Sequence, residues 1–372
     1  MQKEDLNLNG ICPYFTMFPL DFPMSILAQC SKKRQWIFDP FCGRGTTNFA
    51  ARLNGFPSVG IDSSPVASSL SCAKLANTTS SAIIQEAYKI LEEVSEPEHI
   101  PNSDFWELAY HEDVLKDICR LREGLLENSD SDSRIALRAV MLGALHGPIN
   151  KVTPSYFSNQ APRTFSPKPA YSVKYWTKNN MRPVKHNLID IISKRAERYY
   201  PGTLPEASGK IFKGDSSSEE TLQQVNRFTN KHKIKFSTVI TSPPYFGMGT
   251  YVADQWIRNW FIGGPPNVDY SHNNQLGRFC KQTFINQLCK VWVNTSQLCY
   301  PGASMVIRFG AINGQKVDPI EIISQSLEGT NWRISNILSA GFPQKGRRQS
   351  EHFVNATESV PLEEFDFYCL NN

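Results

Sequence analysis

The fold is indicated by residues 35–47, which read Gln-Trp-Ile-Phe-Asp-Pro-Phe-Cys-Gly-Arg-Gly-Thr-Thr. The first part is apolar and predicts a short buried strand that ends at Asp39. A Gly43-x-Gly45 turn follows, and then a helical stretch at residues 48–53. This order forms the nucleotide-cofactor loop of doubly wound folds, in which glycines let the backbone approach a ligand closely. We therefore expect an α/β fold built on a doubly wound sheet.

The glycine spacing and the next strand narrow the class of cofactor. The loop lacks the full G-x-G-x-x-G of dinucleotide binders, which argues against NAD and FAD, and it lacks the Gly-Lys-Ser/Thr of a Walker A loop. A second short strand, residues 58–61, ends in Asp62, at about the distance beyond the glycines where an acidic residue binds ribose hydroxyls. Together these features predict a nucleoside-containing cofactor.

A second motif, Thr241-Ser242-Pro243-Pro244-Tyr245, follows a β-branched stretch at residues 236–240 that predicts a buried strand. The two prolines make this corner stiff. The Ser242 hydroxyl and the carbonyl of Ser242 or Pro243 are acceptors for the hydrogens of an exocyclic NH2, and the Tyr245 ring offers a face for stacking a base. Taken alone, the motif would more simply be a proline turn with a packed tyrosine.

The composition is that of a globular protein. The chain has 372 residues, of which 40% are hydrophobic and 20% charged, and its net charge of +4 permits a nucleic-acid partner without requiring one. Nine scattered cysteines form no C-x-x-C pair and no zinc-spaced cluster, which predicts reduced thiols in a cytosolic protein and no metal site. The N-terminus lacks a signal-peptide core and no apolar run is long enough to span a bilayer, so we expect neither export nor a membrane.

The middle of the chain changes character. Helical spacing at residues 64–94, 113–127 and 133–145 predicts a helical scaffold. Residues 151–200 are then strongly basic, with interleaved aromatic side chains, and so combine phosphate-binding and stacking groups. A solvated basic face with a core of aromatics is the alternative. The candidate nucleic-acid contacts are Arg163, Lys168, Lys174 and Tyr175, with Arg347 and Arg348 of a basic loop between two predicted edge strands, 332–338 and 364–370.

The form D-P-F-x-G-x-G-T at residues 39–46, paired with the T-S-P-P-Y corner, resembles the S-adenosylmethionine-dependent DNA amino-methyltransferases, which methylate N4 of cytosine or N6 of adenine. Residues 14–23 look like the N-terminal cofactor-flanking segment of that family. The resemblance covers about residues 11–66 and 206–372. It implies a Rossmann-like methyltransferase sheet with a catalytic domain at 1–68 and 206–372, a mostly helical inserted domain for DNA target recognition at 69–205, and S-adenosyl-L-methionine as the cofactor.

The resemblance also implies a role for each motif residue. Asp39, Gly43 and Gly45 would surround the methionine part of the cofactor, Asp62 its ribose hydroxyls and Asp215 its adenine, while the corner would hold the target amine. The implied catalytic residues are Ser242, Pro243, Pro244 and Tyr245. The remaining implied cofactor contacts are Phe15, Thr16, Pro40, Phe41, Thr46, Ser63 and Thr241.

The serine that begins the corner favours cytosine N4, because adenine enzymes of the family usually have aspartate or asparagine there. Adenine in DNA, an RNA substrate and a catalytically inactive DNA-binding relative stay open as alternatives. A carbon-5 cytosine mechanism is excluded, because no cysteine follows a proline. The expected partner is double-stranded DNA in the cytoplasm, associated with the nucleoid; whether a cognate restriction enzyme or another defence-system protein accompanies the chain stays open.

Overall fold

The protein divides into two compact units. The computed structural model describes residues 3–14, 18–30, 35–148, 154–159, 168–247, 252–268, 280–311, 317–342 and 363–372. A sheet unit comprises residues 14–71, 205–250 and 274–372, and a helical unit comprises residues 1–13, 72–204 and 251–273. No helix in these described ranges is long and apolar enough to cross a membrane.

The boundaries between the two units fall at 71/72 and 204/205. The sequence predicts an inserted domain at residues 69–205, so these boundaries lie close to the expected ones. Two further segments, 1–13 and 251–273, group with the helical unit, whereas the expected boundaries assign both to the catalytic domain. The contacts explain this grouping. The thiol of Cys12 donates to the Leu142 carbonyl at 3.6 Å, and the indole N–H of Trp106 donates to the Pro266 carbonyl at 3.2 Å.

The sheet unit is built on seven strands in the order β3-β2-β1-β4-β5-β7-β6. The strands β3, β2, β1, β4 and β5 are parallel, and β7 runs antiparallel to both β5 and β6. This confirms the doubly wound α/β class and the antiparallel pair at the sheet edge. The strands are β1 Ile37–Asp39, β2 Ser58–Asp62, β3 Gly209–Lys213, β4 Phe236–Thr241, β5 Cys299–Gly310, β6 Trp332–Gly341 and β7 Glu364–Asn371.

A 3-10 helix, Lys3–Gly10, precedes thirteen α-helices within the described ranges. The α-helices are α1 Asp21–Leu27, α2 Thr46–Leu53, α3 Pro65–Leu75, α4 Ser80–Glu93, α5 Asp104–Ala109, α6 Glu112–Glu127, α7 Asp132–Ala144, α8 Pro169–Lys178, α9 Leu188–Tyr199, α10 Glu219–His232, α11 Val252–Phe261, α12 Lys281–Leu298 and α13 Pro319–Leu327. The mostly helical character expected of the insertion is therefore observed.

Both faces of the sheet are covered. Phe38 and Val239 pack in a cluster with residues of α10, α12 and α13 on one face. Ile37 and Ile240 pack with residues of α1 and α2 on the other. Adjacent residues of one strand thus point to opposite cores, which explains why each of these two strands carries a pair of consecutive apolar residues, Ile37-Phe38 in β1 and Val239-Ile240 in β4.

Some predicted elements differ from the structure. The helical pattern of residues 64–94 is two helices, α3 and α4, because the Thr79 hydroxyl caps the second by accepting from the Ala82 N–H at 3.3 Å. Strand β5 begins at Cys299 and includes Pro301-Gly302, a pair typical of turns. Helix α10 is absent from the sequence prediction, although Ser218 supplies an N-cap hydroxyl for it.

Candidate active site

The cofactor-loop candidate connects β1 to α2 at the carboxyl ends of the parallel strands. Gly43 and Gly45 both adopt left-handed backbone conformations, with φ of 53° and 77°. A Cβ at Gly45 would lie 2.9 Å from Cα of Ser71, so this glycine permits close packing of the loop on α3. The corresponding position at Gly43 has no atom within 4 Å. The first glycine therefore borders open space, as a backbone that receives a ligand must.

Asp39, the last residue of β1, is fully buried, and only one of its two carboxylate oxygens accepts hydrogen bonds from described residues. Its Oδ1 accepts the Phe41 N–H at 3.0 Å and the Thr241 hydroxyl at 2.7 Å. Its Oδ2 has no hydrogen-bond partner in the described part of the chain. Burial raises the pKa of Asp39 to about 6, and hydrogen bonds from the Thr241 and Thr47 hydroxyls and the Phe41 N–H act in the opposite direction. A buried carboxylate oxygen without a partner fits a ligand that carries a cation or an N–H donor.

Asp62, the last residue of β2, ties its strand to the same loop. Its Oδ2 accepts the Gly43 N–H and its Oδ1 accepts the Ser64 N–H, both at 2.8 Å. Burial raises the pKa of Asp62 above its usual range, while these two N–H groups lower it. The charge of Asp62 in turn raises the pKa of Asp39. A carboxylate whose ionisation is disfavoured by a neighbouring carboxylate suits a positively charged ligand.

The end of β3 joins this group. Asp215 is exposed and accepts from the N–H and the hydroxyl of Ser217, both at 2.8 Å. Its neighbour Ser216 donates a hydrogen bond to the Pro40 carbonyl at 2.5 Å. The Gly214 N–H donates to the backbone carbonyl of Asp62 at 3.0 Å. The ends of β1, β2 and β3 are therefore held together, and the exposed Asp215 carboxylate lies at their rim.

The T-S-P-P-Y corner follows β4, the neighbour of β1. The Thr241 hydroxyl bond to Asp39 and a 3.2 Å bond from the Thr47 hydroxyl to the Ile240 carbonyl join the corner to the cofactor loop. The strand order reverses between β1 and β4, and such a switch point is where doubly wound sheets bind ligands. The structure thus brings together two motifs that lie some two hundred residues apart in sequence.

Within the corner, the side chains differ in their constraint. Ser242 is half-buried, and no described residue forms a hydrogen bond with its hydroxyl. Pro243 is buried and Pro244 is exposed. The Tyr245 hydroxyl donates to Glu364 Oε1 at 2.7 Å, and its ring meets Phe309 edge to face at a centroid distance of 5.2 Å. Within the described part of the chain, the corner therefore offers a hydroxyl without a hydrogen-bond partner beside an anchored aromatic ring.

The other residues predicted to contact a ligand differ in how exposed they are. Phe41 is half-buried against Trp292 at 6.1 Å, Thr46 is buried at the start of α2, and Ser63 is exposed beside Asp62. In the helical unit, Lys168 and Lys174 are exposed, and Tyr175 of α8 stacks on Tyr171 at 6.2 Å. Predictions for five residues fall outside the described part of the chain: Phe15, Thr16, Arg163, Arg347 and Arg348.

Sequence reasoning missed Glu364, Phe309 and Ser216 as residues of this site. Glu364 is 119 positions from Tyr245, and no local pattern marks its side chain as different from other acidic residues near a strand start. Ser216 lies in a Ser-Ser-Ser run that reads as a turn. Only the pairing of β5 with β7 brings Glu364 beside the corner.

The comparisons with known proteins agree with the family expected from the motifs. Residues 2–71, less than a fifth of the chain, match the N6_N4_Mtase family model, described as DNA methylase. This match confirms the predicted resemblance for the segment that contains β1, the cofactor loop and Asp62. No curated protein matches the sequence.

Several solved methyltransferase structures resemble this chain remotely. The rRNA methyltransferase aviRa from Streptomyces viridochromogenes is 10% identical, with a TM-score of 0.38 and 99% of this chain and 94% of that one covered. TrmN from Thermus thermophilus is 7% identical, with a TM-score of 0.34 and coverages of 95% and 48%, so this chain spans about half of its length. An rRNA methylase from Streptococcus thermophilus is 6% identical, with a TM-score of 0.32 and coverages of 96% and 99%. Similarity at this level does not identify a substrate.

Proposed function

We propose that this chain is an S-adenosylmethionine-dependent methyltransferase that methylates the exocyclic amine of a base in DNA, at N4 of cytosine. The observation that carries the proposal is the 2.7 Å bond between Thr241 and Asp39, which unites the loop and the corner at the switch point of the sheet. The match of residues 2–71 to DNA methylases supports the reaction class.

The residues at the loop fit the methyl donor. The unpartnered Oδ2 of Asp39 suits the ammonium group of the methionine part, and the open backbone at Gly43 leaves room beside it. The first turn of α2 has backbone N–H groups without intrahelical partners, which attract a carboxylate. Asp62 retains lone pairs for ribose hydroxyls, and Asp215 is exposed for contact with a base. When bound, S-adenosylmethionine supplies an electrophilic methyl group on a sulfonium sulfur.

The T-S-P-P-Y corner is suited to activating the exocyclic amine, which is a weak nucleophile. The lone pair of an amine on a heteroaromatic ring is delocalised into the ring, so the amine attacks poorly. The Ser242 hydroxyl and a neighbouring backbone carbonyl would accept its two hydrogens, favouring a more tetrahedral nitrogen and stabilising the positive charge that develops on it. The two prolines hold these acceptors in place before the substrate arrives, so little reorganisation is needed during the reaction.

The proposal of cytosine as the base and of double-stranded DNA as the nucleic acid rests on three further features. Serine at the first position of the corner favours cytosine over adenine within the family that the motifs resemble. A base in a duplex must be flipped out at a cost of a few kcal/mol, and Tyr245 is placed to stack on it. Lys168 and Lys174 next to the Tyr171–Tyr175 stack supply phosphate and stacking contacts, which supports double-stranded DNA as the partner.

The deciding experiment supplies methyl-labelled S-adenosylmethionine to the full chain with unmethylated duplex DNA or, separately, with RNA. The nucleic acid is then digested to nucleosides, and the labelled one is identified by chromatography. We expect N4-methylcytosine from DNA, and labelling that is about 30-fold slower with Ser242→Ala. Labelled N6-methyladenine would overturn the choice of base. Label in RNA alone would overturn the choice of polymer, and cofactor binding without any transfer would favour a DNA-binding protein that has lost turnover.

A further inference from the structure

The tyrosine of the corner is held by a carboxylate that neither motif contains. Glu364 opens β7, and its Oε1 accepts the Tyr245 hydroxyl at 2.7 Å. Both side chains are half-buried. A phenol that donates to a carboxylate makes a charge-assisted hydrogen bond, which is stronger and more directional than one to water.

A glycine and a phenylalanine of β5 complete the surroundings of this pair. Gly310 is the ladder partner of Glu364. A Cβ at Gly310 would lie 2.9 Å from Cγ of Glu364 and 3.4 Å from the Tyr245 ring, so any larger residue would displace one of the two. Phe309, the preceding residue, packs against the same ring in a T-shaped arrangement. The tyrosine is therefore constrained at its hydroxyl and by two residues of β5.

We infer that Glu364 is the residue that positions Tyr245 for stacking on the target base, an inference that rests on the proposed function. A tyrosine tethered only through its Cβ can rotate about two side-chain torsions, and each orientation presents a different face. The hydrogen bond to Glu364 selects one orientation of the Tyr245 ring before the base enters. The entropy cost of fixing the ring is therefore not incurred during the reaction. Glu364 itself acts through Tyr245 and holds no part of the cofactor.

The test is a double-mutant cycle on the full chain, with kcat, KM for DNA, the dissociation constant for S-adenosylmethionine and the melting temperature measured for each variant. The single variants are Glu364→Ala, Glu364→Gln and Tyr245→Phe, and the double variant combines Tyr245→Phe with Glu364→Ala. Glu363→Ala is the matched control, because this neighbouring carboxylate accepts instead from the Ser339 hydroxyl.

We expect Glu364→Ala to lower kcat about tenfold, the effect of losing one hydrogen bond to a charged group at the reacting site, with cofactor affinity unchanged. Glu364→Gln keeps an acceptor oxygen and should recover most of the rate. Once the phenol hydroxyl is gone, Glu364 has nothing to position, so the double variant should be no slower than Tyr245→Phe alone.

Three results would overturn the inference while leaving the proposed function intact: an active wild type with an unchanged kcat in Glu364→Ala, a lowered melting temperature without a change in kcat, or multiplicative losses in the double variant. A wild type that binds cofactor but transfers no methyl group to any nucleic acid would overturn the proposed function and this inference with it.

Discussion

The switch point of the sheet unit and helix α8 of the helical unit both carry polar residues that the sequence marks as functional, but they constrain those residues very differently. At the switch point, Asp39 is fully buried and accepts hydrogen bonds from the Phe41 N–H and the Thr241 hydroxyl. On α8, Ser172 and Trp176 are buried while Lys174 points to solvent. Buried polar groups have defined geometry and defined pKa values, whereas exposed cations act mainly through a salt-screened field. The comparison predicts large, specific effects at the first site and small, salt-dependent effects at the second.

The largest effect is expected when the charge of the buried Asp39 carboxylate is removed. Asp39→Asn keeps the shape but places an amide NH2 where the unpartnered oxygen lay. We expect the affinity for S-adenosylmethionine to fall about a hundredfold, since a hydrogen bond between charged groups is lost in a dry site. Isothermal titration calorimetry measures this, with Asp190→Asn, an exposed carboxylate on α9 of the helical unit, as the control. Equal affinities for the two variants would remove Asp39 from the cofactor site.

The unengaged hydroxyl of the corner should give the next largest effect. Ser242→Ala removes an acceptor that is needed only by the amine, so we expect kcat to fall about 30-fold, equivalent to about 2 kcal/mol, with cofactor affinity unchanged. Steady-state methyl transfer to DNA measures the rate. Ser237→Ala, at the opposite end of β4, is the matched control. A loss of cofactor binding in Ser242→Ala would contradict the division of roles between loop and corner.

The raised pKa of Asp39 predicts a pH dependence that α8 cannot produce. The free protein takes up a proton at Asp39 near pH 6, whereas a cationic ligand requires the carboxylate, so affinity for S-adenosylmethionine should rise about tenfold from pH 5 to pH 7 and then level off. Calorimetric titrations across this range measure the change.

Asp39→Asn should flatten this profile, and a profile of the same slope in that variant would assign the titration to another group.

The raised pKa of Asp39 also affects the stability of the fold, and here the effect of rising pH is unfavourable. The folded state holds the proton more tightly than the unfolded chain does, so the contribution of Asp39 to the free energy of unfolding declines as pH rises from about 4 to 6.

The smallest effect is expected on α8. Lys174→Ala should weaken DNA binding only a few-fold and lower the slope of log affinity against log salt by about 0.9, the value for one lost phosphate contact. Fluorescence anisotropy on duplex DNA at several salt concentrations measures this slope. Lys89→Ala, an exposed lysine on α4, is the control. Identical slopes for Lys174→Ala and wild type would remove α8 from the DNA interface.

Local patterns predicted most of the sheet unit. Strands β2 and β4 lie within a residue of their predicted bounds, and the Asp318 carboxylate caps α13 by accepting the Ile320 N–H at 2.8 Å. Apolar runs, glycine turns and capping residues act over a few positions, so a sequence records them directly. Where a cap such as Thr79 interrupts a continuous helical pattern, the same reasoning failed.

The sequence by itself determined the two motifs, the class of fold and the side chains available for chemistry. Tertiary structure alone decided that Thr241 bonds to Asp39, that one oxygen of Asp39 has no partner among the described residues, and that Glu364 anchors Tyr245. The reason is physical. Strand pairing joins residues that the chain separates by one to two hundred positions, and burial then sets the pKa and the hydrogen-bond demand of each group. Neither property belongs to a residue until its neighbours are in place.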